Sequence, residues 1–219
     1  MYPQLEPIFK KYEDIRAEAD AIFTYMDNQF LNCVTCRKGC SDCCSALFDL
    51  SLVEAMYINQ AFADTFDYGR KRSNILERAS EIDRALTRIK RDFYRAEKDG
   101  EKADAIMQKV ASMRMPCPLL DENNECYLYE ARPIPCRLYG IPTEIDGKSR
   151  VCGLSNFDKG SSYPTVKLGK LQKMLEELSS QISLAIDSPY DLEDVYVPLS
   201  MALLTRYDDK YFGKEKNDE

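Results

Sequence analysis

The sequence predicts a mainly α-helical scaffold around a small irregular core of loops and β-hairpins. Three observations lead there. Apolar residues recur at steps of three and four over most of the 219 residues. Pro116, Pro118, Pro133, Pro135 and Pro142 crowd the stretch 115–153 and forbid long helices in it. The nine cysteines fall into two blocks, five of them between Cys33 and Cys44 and the other four at Cys117, Cys126, Cys136 and Cys152.

Taken in order, residues 3–31 read as an amphipathic helix with Ile8, Tyr12, Ile15, Ala19, Ile22 and Met26 on its core face. The first cysteine block follows, with Gly39 available for a tight turn. Ser51 and Glu54 form a capping-box pattern that starts a helix over about 52–65. A stripe of Ile75, Ala79, Ile82, Leu86, Ile89, Phe93 and Ala96 predicts a long helix. Asp99-Gly100 breaks it, and Ala103, Ile106, Met107, Val110 and Met113 continue as the second arm of a helical hairpin. In 115–153 we expect one short hairpin across Asp121–Asn124 and another turning at Asp146-Gly147. Leu168, Leu171, Leu175, Leu178, Ile182 and Ala185 mark a C-terminal helix. Asp191 is the expected cap of a short helix, Pro198 opens another, and the polar tail from Lys214 to Glu219 is expected to fray.

The expected organisation is one domain over 1–219. A core of 33–50 plus 115–153 carries the cysteines, 51–114 is a helical insertion, and helices close the fold over 164–207. No apolar run is long enough to cross a membrane, and the amphipathic, charged N-terminus does not read as a secretory signal, so the cytoplasm is the expected compartment. Thiols are kept reduced there, so clustered cysteines point to metal rather than disulfides. An odd count and the adjacent pair Cys43-Cys44 point the same way.

The chain has no histidine, which excludes Ser-His-Asp and Cys-His catalysis and a histidine general base. It has no Walker A loop and no Gly-x-Gly-x-x-Gly, so nothing supports nucleotide binding. The net charge of −7 argues against a nucleic-acid surface. The charge is uneven, however: Arg70–Arg114 holds thirteen basic and eight acidic residues, a net of +5 that leaves −12 elsewhere. Arg72, Arg84, Arg88, Arg91 and Arg95 make this segment a candidate docking surface for an acidic protein, either a partner or a second copy of the chain.

Spacings of two and three residues in Cys33-x2-Cys36, Cys36-x3-Cys40 and Cys40-x2-Cys43 let a turn aim several sulfurs at one point. Prolines beside Cys117 and Cys136 stiffen the other contributors. We expect one thiolate site shared by both blocks, with the thiols of Cys40, Cys43 and Cys136 close together. Cys33 is open among ligand, spare thiol and core residue. Neighbouring side chains diverge, so Cys43 and Cys44 are not expected to serve one ion alike. Zinc and an iron–sulfur cluster both suit thiolates. The choice leans to iron–sulfur, because the second block lacks a Cys-x2-Cys knuckle.

Cys36-x3-Cys40-x2-Cys43-Cys44, then Pro116-Cys117-Pro-Leu, then Cys126-x2-Tyr129-x2-Arg132-Pro133-x2-Cys136-Arg137 together resemble the bacterial and archaeal cysteine-cluster proteins of the zinc- or iron-chelating type, often called the YkgJ family. The resemblance spans about 33–50 and 115–153. It implies Cys36, Cys40, Cys43, Cys44, Cys117, Cys126 and Cys136 as chelating residues, with Cys152 a looser match. The three-residue gap after Cys36 departs from the two-residue gap of many members. Flagellin lysine methylases share a similar cysteine pattern. Arg132, Arg137 and Tyr129 stand beside these cysteines, where a guanidinium offsets thiolate charge. Three roles follow: a structural or adaptor metalloprotein, a protein-modifying metalloenzyme, or a protein that stores or delivers its metal.

Overall fold

The computed structural model describes residues 2–145 and 147–214, apart from the side chain of Met107. The chain is mainly α, with short strands. A 3-10 turn at Pro3–Leu5 leads into α1 (Glu6–Gln29). β1 (Asp49–Ser51) runs directly into α2 (Leu52–Thr65), followed by α3 (Arg70–Lys98), α4 (Ala103–Ser112) and α5 (Ile134–Leu138). β2 (Thr143–Ile145) and β3 (Lys148–Arg150) precede β4 (Val166–Lys167), which enters α6 (Leu168–Ile186). β5 (Tyr196–Pro198) enters α7 (Leu199–Leu204).

The helical expectations meet the structure closely where a stripe is buried. Ile8, Tyr12, Ile15, Ala19 and Met26 of α1 are buried, with Ile22 packed at the edge. Along α6 the stripe runs Leu171, Leu175, Leu178, Ile182 and then Ile186, while Ala185 is exposed. The last turn keeps the four-residue step from Ile182, and Asp187 ends the helix in the left-handed region at φ 59°.

α2 is the central helix. Leu52, Val53 and Met56 join a core formed with α1, α5 and α6, while Ala55, Ile58 and Phe62 join a second core with α3, α7, Leu119 and Leu128. α3 is buried only at Ile75 and Ala79. Its C-terminal half and α4 carry the rest of the stripe half-buried, except the exposed Ala103, with Gly100 at φ +97° in the bend between them. Of that second arm, the Met107 side chain lies outside the described residues.

Two strand pairings were not expected. β1 pairs antiparallel with β5, and β4 joins β2 in parallel beside the β2–β3 hairpin. Asp146 at that hairpin lies outside the described residues, as do 215–219 of the tail; Gly147 sits at φ +72°. Asp191 caps no helix. Its Oδ1 accepts the Glu193 amide at 3.1 Å in a local turn, and the chain then pairs with β1 as β5. The first expected hairpin is one bridge, Leu120 to Cys126, closed by Asp121 Oδ1 accepting the amides of Asn123 and Glu125 at 2.9 and 2.8 Å.

The capping box at α2 does more than start a helix. Glu54 is buried and its Oε2 accepts the Ser51 amide at 3.2 Å and the Ser51 hydroxyl at 2.9 Å. Its Oε1 accepts the Ile134 amide at 2.9 Å, at the start of α5. Nearby, Ser179 Oγ of α6 accepts the Val53 amide at 3.3 Å. The N-termini of two helices from distant parts of the chain are therefore satisfied by one carboxylate. Burial pushes the Glu54 carboxyl above its usual range, against the hydrogen bonds that lower it.

Replacing Glu54 by Ala strands buried donors at both helix starts, and we expect a loss of about 2–4 kcal/mol in urea denaturation. The raised carboxyl sets the sign of the pH effect. Its contribution is fully present below the ordinary glutamate value, near ~4.3, and is lost as pH rises through the folded-state value. The stability gap between the native chain and Glu54→Ala should therefore be widest in acid and shrink with rising pH. A gap that widens with pH would refute the assignment.

Candidate metal centre

The two cysteine blocks meet, and backbone hydrogen bonds stitch them. The Cys117 amide donates to the Cys44 carbonyl at 2.6 Å, the Met115 amide to the Ser45 carbonyl at 2.9 Å, and Ala46 bridges Arg114. Lys38 adds an ion pair with Glu125 at 3.1 Å. Within the first block Gly39, at φ +85°, turns the chain between Cys36 and Cys40. Cys43 and Cys44 sit on a 3-10 turn, and Cys136 sits on α5, which Pro133 and Pro135 start.

Cys43, Cys44, Cys117, Cys126 and Cys136 line one cavity of about 70 Å³. Arg132 stands in its wall, with an apolar side supplied by Ile58 of α2, Ile82 and Leu86 of α3 and Leu199 of α7. The Sγ atoms of Cys43 and Cys44 are 4.0 Å apart. Cys36, Cys40 and Cys152 do not line this cavity. Cys43 and Cys136 are thus together as expected, and Cys40 does not line the cavity with them. Cys33 packs against the larger core and its carbonyl accepts the Asn156 amide at 2.8 Å.

The electrostatics follow from burial. Cys117 is pushed up to about 12, and Cys136 and Cys126 are pushed up as well, each chiefly by burial. Negative thiolate neighbours add to the rise at all three. Cys36 is likewise pushed up to about 12 by burial and then by its neighbours. Cys43 is the exception: a hydrogen bond with Cys44, helped by Arg132, lowers it to about 7 against its burial. That same bond, with burial, drives Cys44 upward. Arg132 also lowers Cys126 and Cys136, so one guanidinium serves three thiols.

Tyr129 positions that guanidinium. Its ring centroid lies 3.5 Å from Arg132 Cζ, and its carbonyl accepts Arg132 Nε at 2.9 Å. Arg137 is used differently. It is buried and pairs with Asp20 of α1, and it donates to the carbonyls of Glu130 and, at 2.7 Å, Arg132. Arg16 of α1 donates to the same Glu130 carbonyl and stacks over Tyr57. Arg137 therefore fastens the backbone that carries Arg132.

Sulfur acceptors give a further mark. The Leu119 amide donates to Cys117 Sγ at 3.4 Å and the Leu154 amide to Cys152 Sγ at 3.4 Å. The Leu128 amide stands in the same relation to Cys126 and lowers its pKa. Donors two residues on are the outer partners that a metal-bound thiolate uses. Among the described residues, no three cysteine, aspartate or glutamate side chains close into a finished ion-binding geometry. Neutral thiols do not attract one another, so packing alone sets their spacing; a cation would draw them in. An all-thiol donor set with amide donors and one guanidinium fits a metal centre.

Two residues were missed by sequence reasoning, and a third was read for only half of its role. Asp42 accepts the Tyr139 hydroxyl at 2.9 Å and lies 3.4 Å from Cys152 Sγ. Gly140 lies against Cys36, where a Cβ would stand 2.3 Å from Sγ. Glu54 joins α2 to α5. Asp42 had a signal in its place between Cys40 and Cys43, and Glu54 in the capping box with Ser51, which did not point to Ile134.

A family model described as "Putative zinc- or iron-chelating domain" (CxxCxxCC) matches residues 35–153, more than half of the chain. The chain belongs to this family. The match takes in every cysteine but Cys33 and the helices between the two blocks, and leaves out α1, α6 and α7. No curated protein and no solved structure matches the chain.

Gly140 gives a local test. It holds φ +101°, and any added Cβ meets Cys36 Sγ. Gly140→Ala should destabilise the fold by about 1–3 kcal/mol through backbone strain and the clash. Combining it with Cys36→Ala should recover only the clash, giving a non-additive cycle in urea denaturation. Additivity would place Cys36 Sγ away from Gly140.

Proposed function

We propose that this chain is a metalloprotein in which Cys43, Cys117, Cys126 and Cys136, with Cys44 at the edge, hold an iron–sulfur cluster that fastens the two cysteine blocks. One observation carries the reading: five thiols from both blocks line a single cavity of about 70 Å³. Both zinc and a cluster suit thiolates. The cluster is favoured because the second block has no Cys-x2-Cys knuckle to close with the first on one zinc. When bound, it supplies the positive charge that lets buried thiols ionise, together with the ability to carry electrons.

The residues around it have simple duties. Arg132 offsets thiolate charge, Tyr129 holds Arg132, and Arg137 secures the backbone beneath both. The favoured role is structural, with partner recognition on the exposed basic face of α3. Arg84, Arg88, Arg91 and Arg95 are exposed there, while Arg72 is committed to the Phe66 carbonyl at 2.9 Å. Reversing the charge of Arg84, Arg88 and Arg95 together should leave metal content and helicity intact. It should also weaken salt-sensitive association with an acidic partner. Unchanged binding would remove α3 from recognition.

The second reading is a metalloenzyme of protein modification. It draws on the apolar wall of Ile58, Ile82, Leu86 and Leu199, which gives the cavity a side that no thiol occupies.

Anaerobic purification with metal and sulfide analysis tests the centre. We expect iron with acid-labile sulfide, both lost in Cys136→Ala. Hydrogen exchange in that variant should speed up in 115–153 and 36–44 before the long helices respond. Zinc without sulfide in the ring would overturn the cluster reading.

A further inference from the structure

Two exposed surfaces of opposite charge stand on this chain. The first is the outer face of α3. From Arg84 to Lys98 this helix holds six basic and two acidic residues. Arg84, Arg88, Arg91 and Arg95 step by four and three along it, all exposed, with the exposed Tyr94 beside them. The second surface is acidic and joins α6 to β5. From Met174 to Thr205 the chain has six acidic residues and no lysine or arginine. Hydrogen bonds lay 190–196 along α6: Ser183 Oγ donates to the Tyr190 carbonyl at 2.5 Å, Gln172 Nε2 donates to the Tyr196 hydroxyl at 2.8 Å, and that hydroxyl donates to Glu176. The exposed Asp191, Glu193 and Asp194 are thereby brought beside α6, whose outer side presents Glu177 and the 79 % exposed Leu184.

Neither surface is neutralised within the molecule. Among the described residues no ion pair reaches Glu177, Glu193, Asp194, Arg84, Arg88 or Arg91, and Arg95 has only Asp92 of its own helix, at 3.7 Å. β5 leads straight into α7, which packs along α3 with Ser200 Oγ 3.4 Å from Asp83 Oδ1. The two faces are thus carried by neighbouring elements of one molecule without pairing with each other.

We propose that they bind each other across two copies of the chain, the α3 face of one seated on the α6–β5 face of the other, with the reverse contact made about a two-fold axis. The proposal rests on the reading of α3 as a recognition face and names its partner. Charge complementarity selects the occupant: the acidic stretch carries −6 and the α3 stretch +4, and the chain supplies both. Exposed ion pairs are individually weak, so several act together, and Leu184 and Tyr94 give each face apolar surface to bury. A reciprocal contact closes at two copies, whereas a one-way contact would keep adding copies.

Sedimentation equilibrium of the full chain, in low and in high salt, tests the contact with two variants. One carries Arg84→Glu, Arg88→Glu and Arg95→Glu, and the other Glu177→Lys, Glu193→Lys and Asp194→Lys. All six side chains are exposed, so circular dichroism should show unchanged helicity in both. We expect a native dimer in low salt whose dissociation constant rises at least about tenfold in high salt. Each variant alone should be monomeric. An equimolar mixture should restore the dimer, because the two reversed faces match each other and the two native faces still match. Leu184→Asp should weaken the native dimer by itself, so a triple variant that fails to fold leaves the contact testable. A native chain that stays monomeric in low salt would overturn self-association, and α3 would remain a recognition face if its reversal still abolishes binding to poly-glutamate. A dimer that persists in the α3 variant would overturn both readings. A mixture that stays monomeric, or native species that grow beyond the dimer, would overturn the reciprocal contact.

Discussion

A single buried carboxylate joins the parts of this molecule that the sequence keeps apart. Glu54 accepts hydrogen bonds from Ser51 at the start of α2 and from Ile134 at the start of α5. α2 follows the first cysteine block and α5 carries Cys136 of the second. Their relative position sets how far the Cys43–Cys44 turn lies from Cys136, so the thiol ring inherits its width from this junction. Burial opposes the charge on Glu54, and the donors at the two helix starts are what make the buried group tolerable. Arg137 repeats the device one turn along α5, reaching Asp20 of α1 and the carbonyls of Glu130 and Arg132. The backbone beneath the site is thus fixed from α1 and α2 at once.

Charge is the second constraint. Several thiols gathered out of water resist ionising, and each one that ionises raises its neighbours. Arg132 relieves this at Cys43, Cys126 and Cys136, and the amides of Leu119 and Leu128 relieve it at Cys117 and Cys126. These are fixed, local donors, in place because backbone bonds between 44–46 and 114–117 close the two blocks. The site is pre-organised by ordinary backbone pairing, which reduces the ordering entropy that a ligand has to overcome.

What could be read from the sequence was what is local. The faces of α1 and α6 follow from periodicity, and the boundaries of α2 from Ser51 and Glu54 three residues apart. The pairings of β1 with β5 and β4 with β2 join strands of two or three residues from distant parts of the chain, too short to show any alternation. Asp191 misled for a physical reason: an aspartate that accepts the amide two residues on looks the same at a helix start as in an isolated turn. The cysteine ligand candidates and the Tyr129–Arg132 pair were legible as a set, because they crowd together in sequence. Their division was not, because it depends on where 115–153 folds back. Glu54 was read as a cap, and nothing in its sequence neighbourhood pointed to Ile134.

The division of the thiols can still be traced to the spacing of the first block. Three residues separate Cys36 from Cys40, and Gly39 among them, at a positive φ, turns the chain there. Two residues further on, the 3-10 turn carries Cys43 and Cys44 to the cavity. Asp42 stands at the changeover, its carboxylate toward Cys152 and Tyr139 while its backbone begins the turn.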